Sequence, residues 1–270
     1  MTQPLFLVDA FTAEPFAGNP AAVCLLESDA EPAWMQRVAA EMNLSETAFL
    51  RPGAEAGRYG LRWFTPTVEV ELCGHATLAS AHVLWSEGRV EAGAPIRFDT
   101  ASGLLAARSG ADGRIWLDFP ATPAEPVRPP PGLVEALGTG APRWVGRTLR
   151  LPGRAGGRGG RARPGAVLRA AGAAGAAGQP RGDRDRRRRG RPRLRLRVPL
   201  LRPGGRDRRG PVTGSAHCTL GPFWAGRLGR DELTGFQASA RGGLVQVRPR
   251  GDRVLLGGHA VTVLRGQLVQ

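Results

Sequence analysis

Three polar residues carry the chemistry that this chain could perform: Glu46 in NLSETAFL, His75 in LCGHATLAS and Ser215 in PVTGSAHCTL. A carboxylate in a dry cleft, its pKa raised by burial, can take a proton from carbon and return it elsewhere. Imidazole titrates near neutrality and both donates and accepts, so His75 suits orienting a substrate or assisting the transfer. Ser215 offers a hydroxyl where a helix should begin, able to bind substrate, to cap the helix, or both. Gly74 precedes His75, and Thr213-Gly214 precede Ser215. Helix N-termini present unpaired N–H groups and partial positive charge, which suits a carboxylate or enolate. Two facing helix starts would grip a small anion.

Each residue also has a plainer reading. An isolated Ser-Glu-Thr is more often a cap than a catalyst, and a lone His beside Gly is more often a core or capping residue. Asn19 lies in Gly-Asn-Pro, a turn that needs no functional reason, and ranks below the others as a substrate-binding candidate. The three cysteines, Cys24, Cys73 and Cys218, show no CxxC pair and no zinc-like spacing with histidine. No metal and no cofactor is expected. Cys73 and Cys218 read as buried structural thiols. A hydrolase built from Ser215 and His217 is disfavoured, because neighbours on one turn do not make a triad and no nucleophile elbow is present.

The elements that must hold these residues are short. Leu5 to Phe11 and Ala21 to Leu26 read as strands around a Gly/Pro-bearing loop. Asp29 can cap a helix with Pro32 in its first turn and Trp34, Val38 and Met42 on one face. Leu61 to Thr65, Ile96 to Asp99, Leu104 to Ala107 and Ile115 to Phe119 read as strands, and Ala76 to Trp85 as a buried helix opened by Gly74-His75. PATPAEPVRPPPG, residues 120 to 132, is rich in proline and reads as a semi-rigid linker. Gly214 to Trp224 resembles a second helix, and RGGLVQVRP and DRVLLGGHAVTVLRG alternate like antiparallel strands joined at Gly251-Asp252. The expectation is an α+β protein with domains at 1–120 and 133–270 and a linker at 121–132.

The formal charge of +15 is local. Residues 150 to 210 hold 20 of the 38 Arg, three acids (Asp183, Asp185, Asp207), no Glu and no aromatic residue. Outside the block, 18 Arg stand against 20 acids. An arginine arm can neutralise phosphates and fold on binding nucleic acid. The block lacks aromatic residues for base stacking, and the chain has no Lys, which points to GC-rich coding rather than selection for charge. Nucleic acid is therefore not the expected partner. No run is long enough to span a bilayer, and MTQPLFLVDAF lacks a basic region ahead of an apolar core, so a soluble cytoplasmic protein is expected.

Four segments, Asp9 to Val23, Asn43 to Leu50, Leu61 to Ser80 and Pro211 to Leu220, together resemble the phenazine-biosynthesis PhzF-like family of isomerases, built on the diaminopimelate-epimerase fold. The resemblance implies two similar domains, each a mostly antiparallel sheet wrapped around a central helix, with the active site in the cleft between them. It implies that Glu46 shuttles the proton while His75 and Ser215 hold a small anionic metabolite with help from Asn19, Gly74, Thr213 and Gly214. It also implies a homodimer. Amino-acid epimerisation or racemisation is the nearest alternative chemistry.

The chain departs from the family at one place. An acidic Glu-Asp pair precedes the Pro-Val-Thr-Gly-Ser motif in the family, and here Arg209-Gly210 stand there. Read one base later, plausible codons for Arg206 to Pro211 restore that pair, and the same shift restores alternating strand patterns upstream. The block therefore reads as a frameshifted segment, expected to be irregular and to disrupt the second domain. Twenty arginines cannot replace apolar strand faces without leaving charge unpaired.

Overall fold

The computed structural model describes residues 2–129, 131, 144–148, 167–170, 195–198, 214–237 and 239–269. The first half supplies β1 (Gln3–Ala10), β2 (Asn19–Leu25), α1 (Pro32–Met42), β3 (Thr47–Pro52), β4 (Arg58–Phe64), β5 (Glu69–Val70) and α2 (Gly74–Ser86). The hairpins β6 (Ile96–Thr100), β7 (Gly103–Ser109) and β8 (Ile115–Pro120) follow. Next come β9 (Ala124–Pro126), β10 (Trp144–Thr148), β11 (Val167–Ala170) and β12 (Arg195–Val198). The chain closes with α3 (Gly214–Leu228), β13 (Leu233–Gln237), β14 (Leu244–Arg250), β15 (Arg253–Gly258) and β16 (Ala260–Leu268).

The fold is α+β, with a large, mostly antiparallel sheet ordered β12-β13-β14-β15-β8-β7-β6-β4-β3-β2-β1-β16, and β5 attached to β4. Its parallel pairs are β12 with β13, β2 with β3, and β4 with β6. Helix α2 packs against β1, β2, β3, β8 and β16. Six strands lie between β8 and β16 in the sheet order, so the sheet must curl around α2 to touch it from both sides. The sequence of α2, GHATLASAHVLWS, is apolar or small on every face, as a helix enclosed by a sheet must be.

Strand periodicity divides the core. Ala21, Val23 and Leu25 of β2 point into the cluster around α2, while Ala22, Cys24 and Leu26 join Met35, Val38 and Ala39 of α1 on the opposite face. Helix α1 begins at Pro32 as expected, but Asp29 does not cap it. Glu31 occupies the cap position without a side-chain bond, and the Asp29 carboxylate instead meets Arg51 at 2.8 Å.

Three differences from the sequence reading concern the second half. The run after Gly251 is two strands rather than one: β15 pairs with β14 and β8, whereas β16 leaves to pair with β1. Within the proline-rich stretch, Ala124–Pro126 forms β9 and pairs with β10. In the arginine block, where irregular chain was expected, Val167–Ala170 and Arg195–Val198 are strands paired with β10 and β13. The rest of that block lies outside the described residues. Among the described residues, no helix is long and apolar enough to cross a membrane.

Candidate active site

Glu46 is delivered by a reversal after α1. Asn43 takes a left-handed backbone conformation (φ 50°) at the helix C-terminus, a role for which Asn is suited. Four residues later the chain enters β3 at Thr47, with Glu46 immediately before it. Strands β2 and β3 run parallel with Ala22 opposite Thr47, so Asn19 and Glu46 lie at the same end of the sheet. Asn19 is buried at the head of β2, paired across to Ala10. Gly18 before it is required, because its φ is +63° and a Cβ there would lie 2.2 Å from the Ala10 carbonyl oxygen.

His75, only 4% exposed, is the second residue of α2. Its Nε2 lies 3.2 Å from Oε2 of Glu46, whose side chain is 22% exposed. Its Nδ1 lies 3.3 Å from Sγ of Cys73, the residue at the N-cap of α2. Polar atoms of Glu46, Cys73 and His75 all fall within 4.8 Å of one another. Burial and then the Glu46 charge push the Cys73 thiol well above its ordinary pKa, opposed in part by the backbone N–H groups of Ala76 and His75. The thiol therefore stays protonated. Carboxylate, thiol and imidazole are ligand types that zinc accepts. The imidazole turns Nε2 to Glu46 and Nδ1 to Cys73, and the thiol also hydrogen-bonds the Glu46 side chain, so the three groups share a set of proton contacts.

The two helix starts meet at glycine. A Cβ on Gly74 would stand 3.0 Å from Cα of Gly214, and one on Gly214 would stand 3.1 Å from Cα of Gly74. Any side chain at either position would push backbone against backbone. Ser215, half-buried, follows Gly214 as His75 follows Gly74, so both polar residues flank one junction of two N-termini. Thr213 and Arg209-Gly210 lie outside the described residues. His217, a residue of the disfavoured hydrolase pair, is buried against β13, where a Cβ on Gly235 would lie 2.3 Å from its Nε2.

The loop between β1 and β2 is fastened to the second half of the chain. Arg241 Nη2 donates to Asp9 Oδ1 at 2.6 Å and to the Ala17 carbonyl at 2.9 Å, and its Nε donates to the Gly18 carbonyl at 3.2 Å. The other Asp9 oxygen accepts the Phe16 N–H at 2.6 Å. Asp9 is buried, and this clamp fixes the backbone just before Asn19.

Sequence reasoning missed two of these features. Cys73 was read as a structural thiol and is buried as expected, yet it contacts His75. The Cys-Gly-His tripeptide at a helix start was the available signal. Cys218 is also buried, on α3, and desolvation pushes its thiol pKa up to about 12. The Asp9–Arg241 pair spans 232 residues and has no local signature.

A sequence profile described as phenazine biosynthesis-like protein matches residues 8–130. The match stops before the arginine block. An uncharacterized isomerase of Halalkalibacterium halodurans is 42% identical, with 100% of this chain and 99% of that protein covered. A PhzF-family phenazine biosynthesis protein of Enterococcus faecalis, solved by crystallography, superposes with TM-score 0.76 at 32% identity and full coverage of both chains. A hydroxyproline epimerase of Agrobacterium vitis, crystallised with bound trans-4-hydroxy-L-proline, shares the fold at TM-score 0.54 and 14% identity, with 99% and 92% covered. The fold is that of an α+β protein whose structural neighbours include epimerases. The chain belongs to the phenazine biosynthesis-like, or PhzF, family.

Proposed function

We propose that the chain is an isomerase that moves a proton between carbons of a small, carboxylate-bearing, cyclic or unsaturated metabolite. The observation that carries this reading is the Glu46–His75 contact of 3.2 Å beside the junction of two helix starts at Gly74 and Gly214. Glu46 takes a proton from carbon, and the electron pair left behind spreads toward the substrate carboxylate as an enolate. Backbone N–H groups after Gly74 and Gly214 stabilise that charge, a role for which helix N-termini are preorganised. The protonated Glu46 then returns the proton to another carbon of the conjugated system, so atoms and charge balance without a cofactor. His75 and Ser215 hold the substrate, with Asn19 and, from its place in the sequence motif, Thr213 as further binding residues.

The name of the H. halodurans relative, an isomerase, supports this class of reaction. The shared fold of the hydroxyproline epimerase supports a second reading, in which the proton returns to the same carbon from the other face. Incubating the protein in D2O with a panel of β,γ-unsaturated carboxylic acids and the two enantiomers of proline separates these readings. Double-bond migration with deuterium uptake supports isomerisation, and inversion of proline supports epimerisation. Equal exchange by wild type and Glu46→Gln would remove Glu46 from its role.

Further proposals concern the frame around this site. Residues 1–120 and 133–270 are proposed as two units joined through 121–132, a division supported by one helix in each, α2 and α3, with β16 crossing back to pair with β1. A homodimer is proposed from family membership. The composition of residues 150–210, with 20 Arg, no Glu and no aromatic residue, supports a frameshifted origin for them, and Gly210 then stands where an acidic residue would assist turnover. Sequencing the gene across residues 145–215 tests this: a verified in-frame arginine block refutes it.

A further inference from the structure

Cys73 lies beside the proposed acid/base group without reaching the cleft itself. It is 6% exposed, it occupies the N-cap of α2, and its sulfur is 3.3 Å from Nδ1 of His75. On the far side of the same ring, Nε2 is 3.2 Å from Glu46. We infer that Cys73 is a positioning residue for the proton chemistry: its S–H, donated to Nδ1, fixes His75 as the tautomer that carries its proton on Nε2, facing Glu46. The inference rests on the reading of Glu46 as the acid/base group, and its test is independent of turnover.

A neutral imidazole has one donor nitrogen and one acceptor nitrogen, and the group bound to one decides the state of the other. Two arrangements are available. In the first, the thiol donates to Nδ1 and Nε2–H faces the carboxylate, a charge-assisted contact. In the second, Nδ1–H points at sulfur, a weak acceptor, and the lone pair of Nε2 faces a carboxylate oxygen, so that two acceptors oppose each other. The first arrangement sets no two acceptors against each other. The sulfur lone pairs meanwhile receive the backbone N–H groups of His75 and Ala76 at the helix start, and the thiol proton has two acceptors in reach, Nδ1 of His75 and the Glu46 side chain. A proton given to Glu46 instead would leave Nδ1 carrying its own, the outcome that overturns the inference. The raised thiol pKa ensures that this proton is present.

The consequence falls on Glu46. An N–H on Nε2, 3.2 Å from its oxygen, gives the carboxylate a charge-assisted contact, and the carboxylate is the form that can accept a proton from carbon. Cys73 thus acts through His75 and never touches the substrate.

The measurement is long-range 1H–15N NMR on substrate-free protein labelled at its four histidines. Wild type should show His75 with Nε2 protonated and Nδ1 bare. Cys73→Ser should keep that pattern, because a hydroxyl also donates. Cys73→Ala should shift it toward the other tautomer and lower kcat for deuterium exchange roughly tenfold or more with KM little changed. A proton on Nδ1 in wild type, or a Cys73→Ala spectrum identical to wild type, would overturn the inference. Should Cys73→Ala fail to fold, the wild-type and Cys73→Ser spectra still decide it. Retained exchange in Glu46→Gln would remove Glu46 as the acid/base group while leaving the tautomer assignment standing.

Discussion

Helices α2 and α3 start alike and end differently. Both open with glycine at a shared junction, and both follow that glycine with a polar residue. Helix α2 then buries ten of its 13 residues inside a curled sheet that touches it from five strands. Helix α3 buries Gly214 and His217 through Gly221, but from Pro222 onward its residues are partly or fully exposed. Among the described residues, its strand partners are β13, β14 and β15. Phe223 and Arg227 pack with Trp144, Trp224 meets Phe223 edge-on, and the Arg227 guanidinium lies 3.7 Å from the Phe223 ring centroid. The difference teaches that a helix start can be placed accurately by one glycine contact, while its body depends on how many strands close around it.

The comparison can be broken most sharply at the chemistry. Glu46→Gln should lower deuterium exchange by about a thousandfold, within the range for losing a general acid/base group, measured by NMR in D2O. A small effect would leave the two helix starts as architecture only. Next in size is the junction itself. Gly74→Ala places a Cβ 3.0 Å from the Gly214 backbone and should cost about 1–3 kcal/mol by overpacking, read from urea unfolding, with loss of exchange activity.

Breaking the clamp comes third. Arg241→Met leaves the buried Asp9 with the Phe16 N–H and without its cation, and should cost about 1–3 kcal/mol. The same variant should raise KM more than it lowers kcat, because the loop ahead of Asn19 is loosened while Glu46 is untouched. Smallest among the mutations is Gly226→Ala, on the exposed end of α3, where a Cβ meets nothing within 4 Å. It should stabilise by about 0.5–1 kcal/mol. Equal effects at Gly74 and Gly226 would erase the contrast between the two helices.

A pH experiment sharpens the same contrast from the α2 side. His82 on α2 has its pKa lowered from 6.5, by burial first and by the Arg265 charge second, while its Nε2 contacts the Thr262 hydroxyl at 2.9 Å. The folded state thus favours neutral His82, whereas the unfolded chain takes up a proton near 6.5. Stability is full above that value and declines as pH falls through it toward the lower folded pKa. Urea midpoints measured from pH 8 to 5 should fall, and His82→Gln should flatten the decline.

Much of the site could be read from short motifs because helix starts and strand alternation leave local marks. Gly74-His75 and Gly214-Ser215 were placed at helix starts by their glycines, and β2 showed its two faces by alternation. The contacts across the ring of His75 were less legible, since a cysteine two residues away in sequence reaches it only once the helix N-cap is formed. Asp9 and Arg241 left no trace, because a pair 232 residues apart has no period. The same holds for β16, whose alternation announced a strand but not its partner. Asp29 shows the opposite error: a good capping residue was read locally, while Arg51 on β3 claimed its carboxylate.

The pairing of β16 with β1 sets a timetable for synthesis. Each residue of β1 waits for a partner made 250 to 265 residues later, from Ala10 with Ala260 to Gln3 with Leu268. A nascent chain that already contains β1 to β8 and α2 still presents the outer edge of β1 unpaired, and open edges invite other chains. The first half is thus translated early and sealed last. An error in the middle of the message would leave it sealed as long as Arg241, β15 and β16 are still read in the right frame.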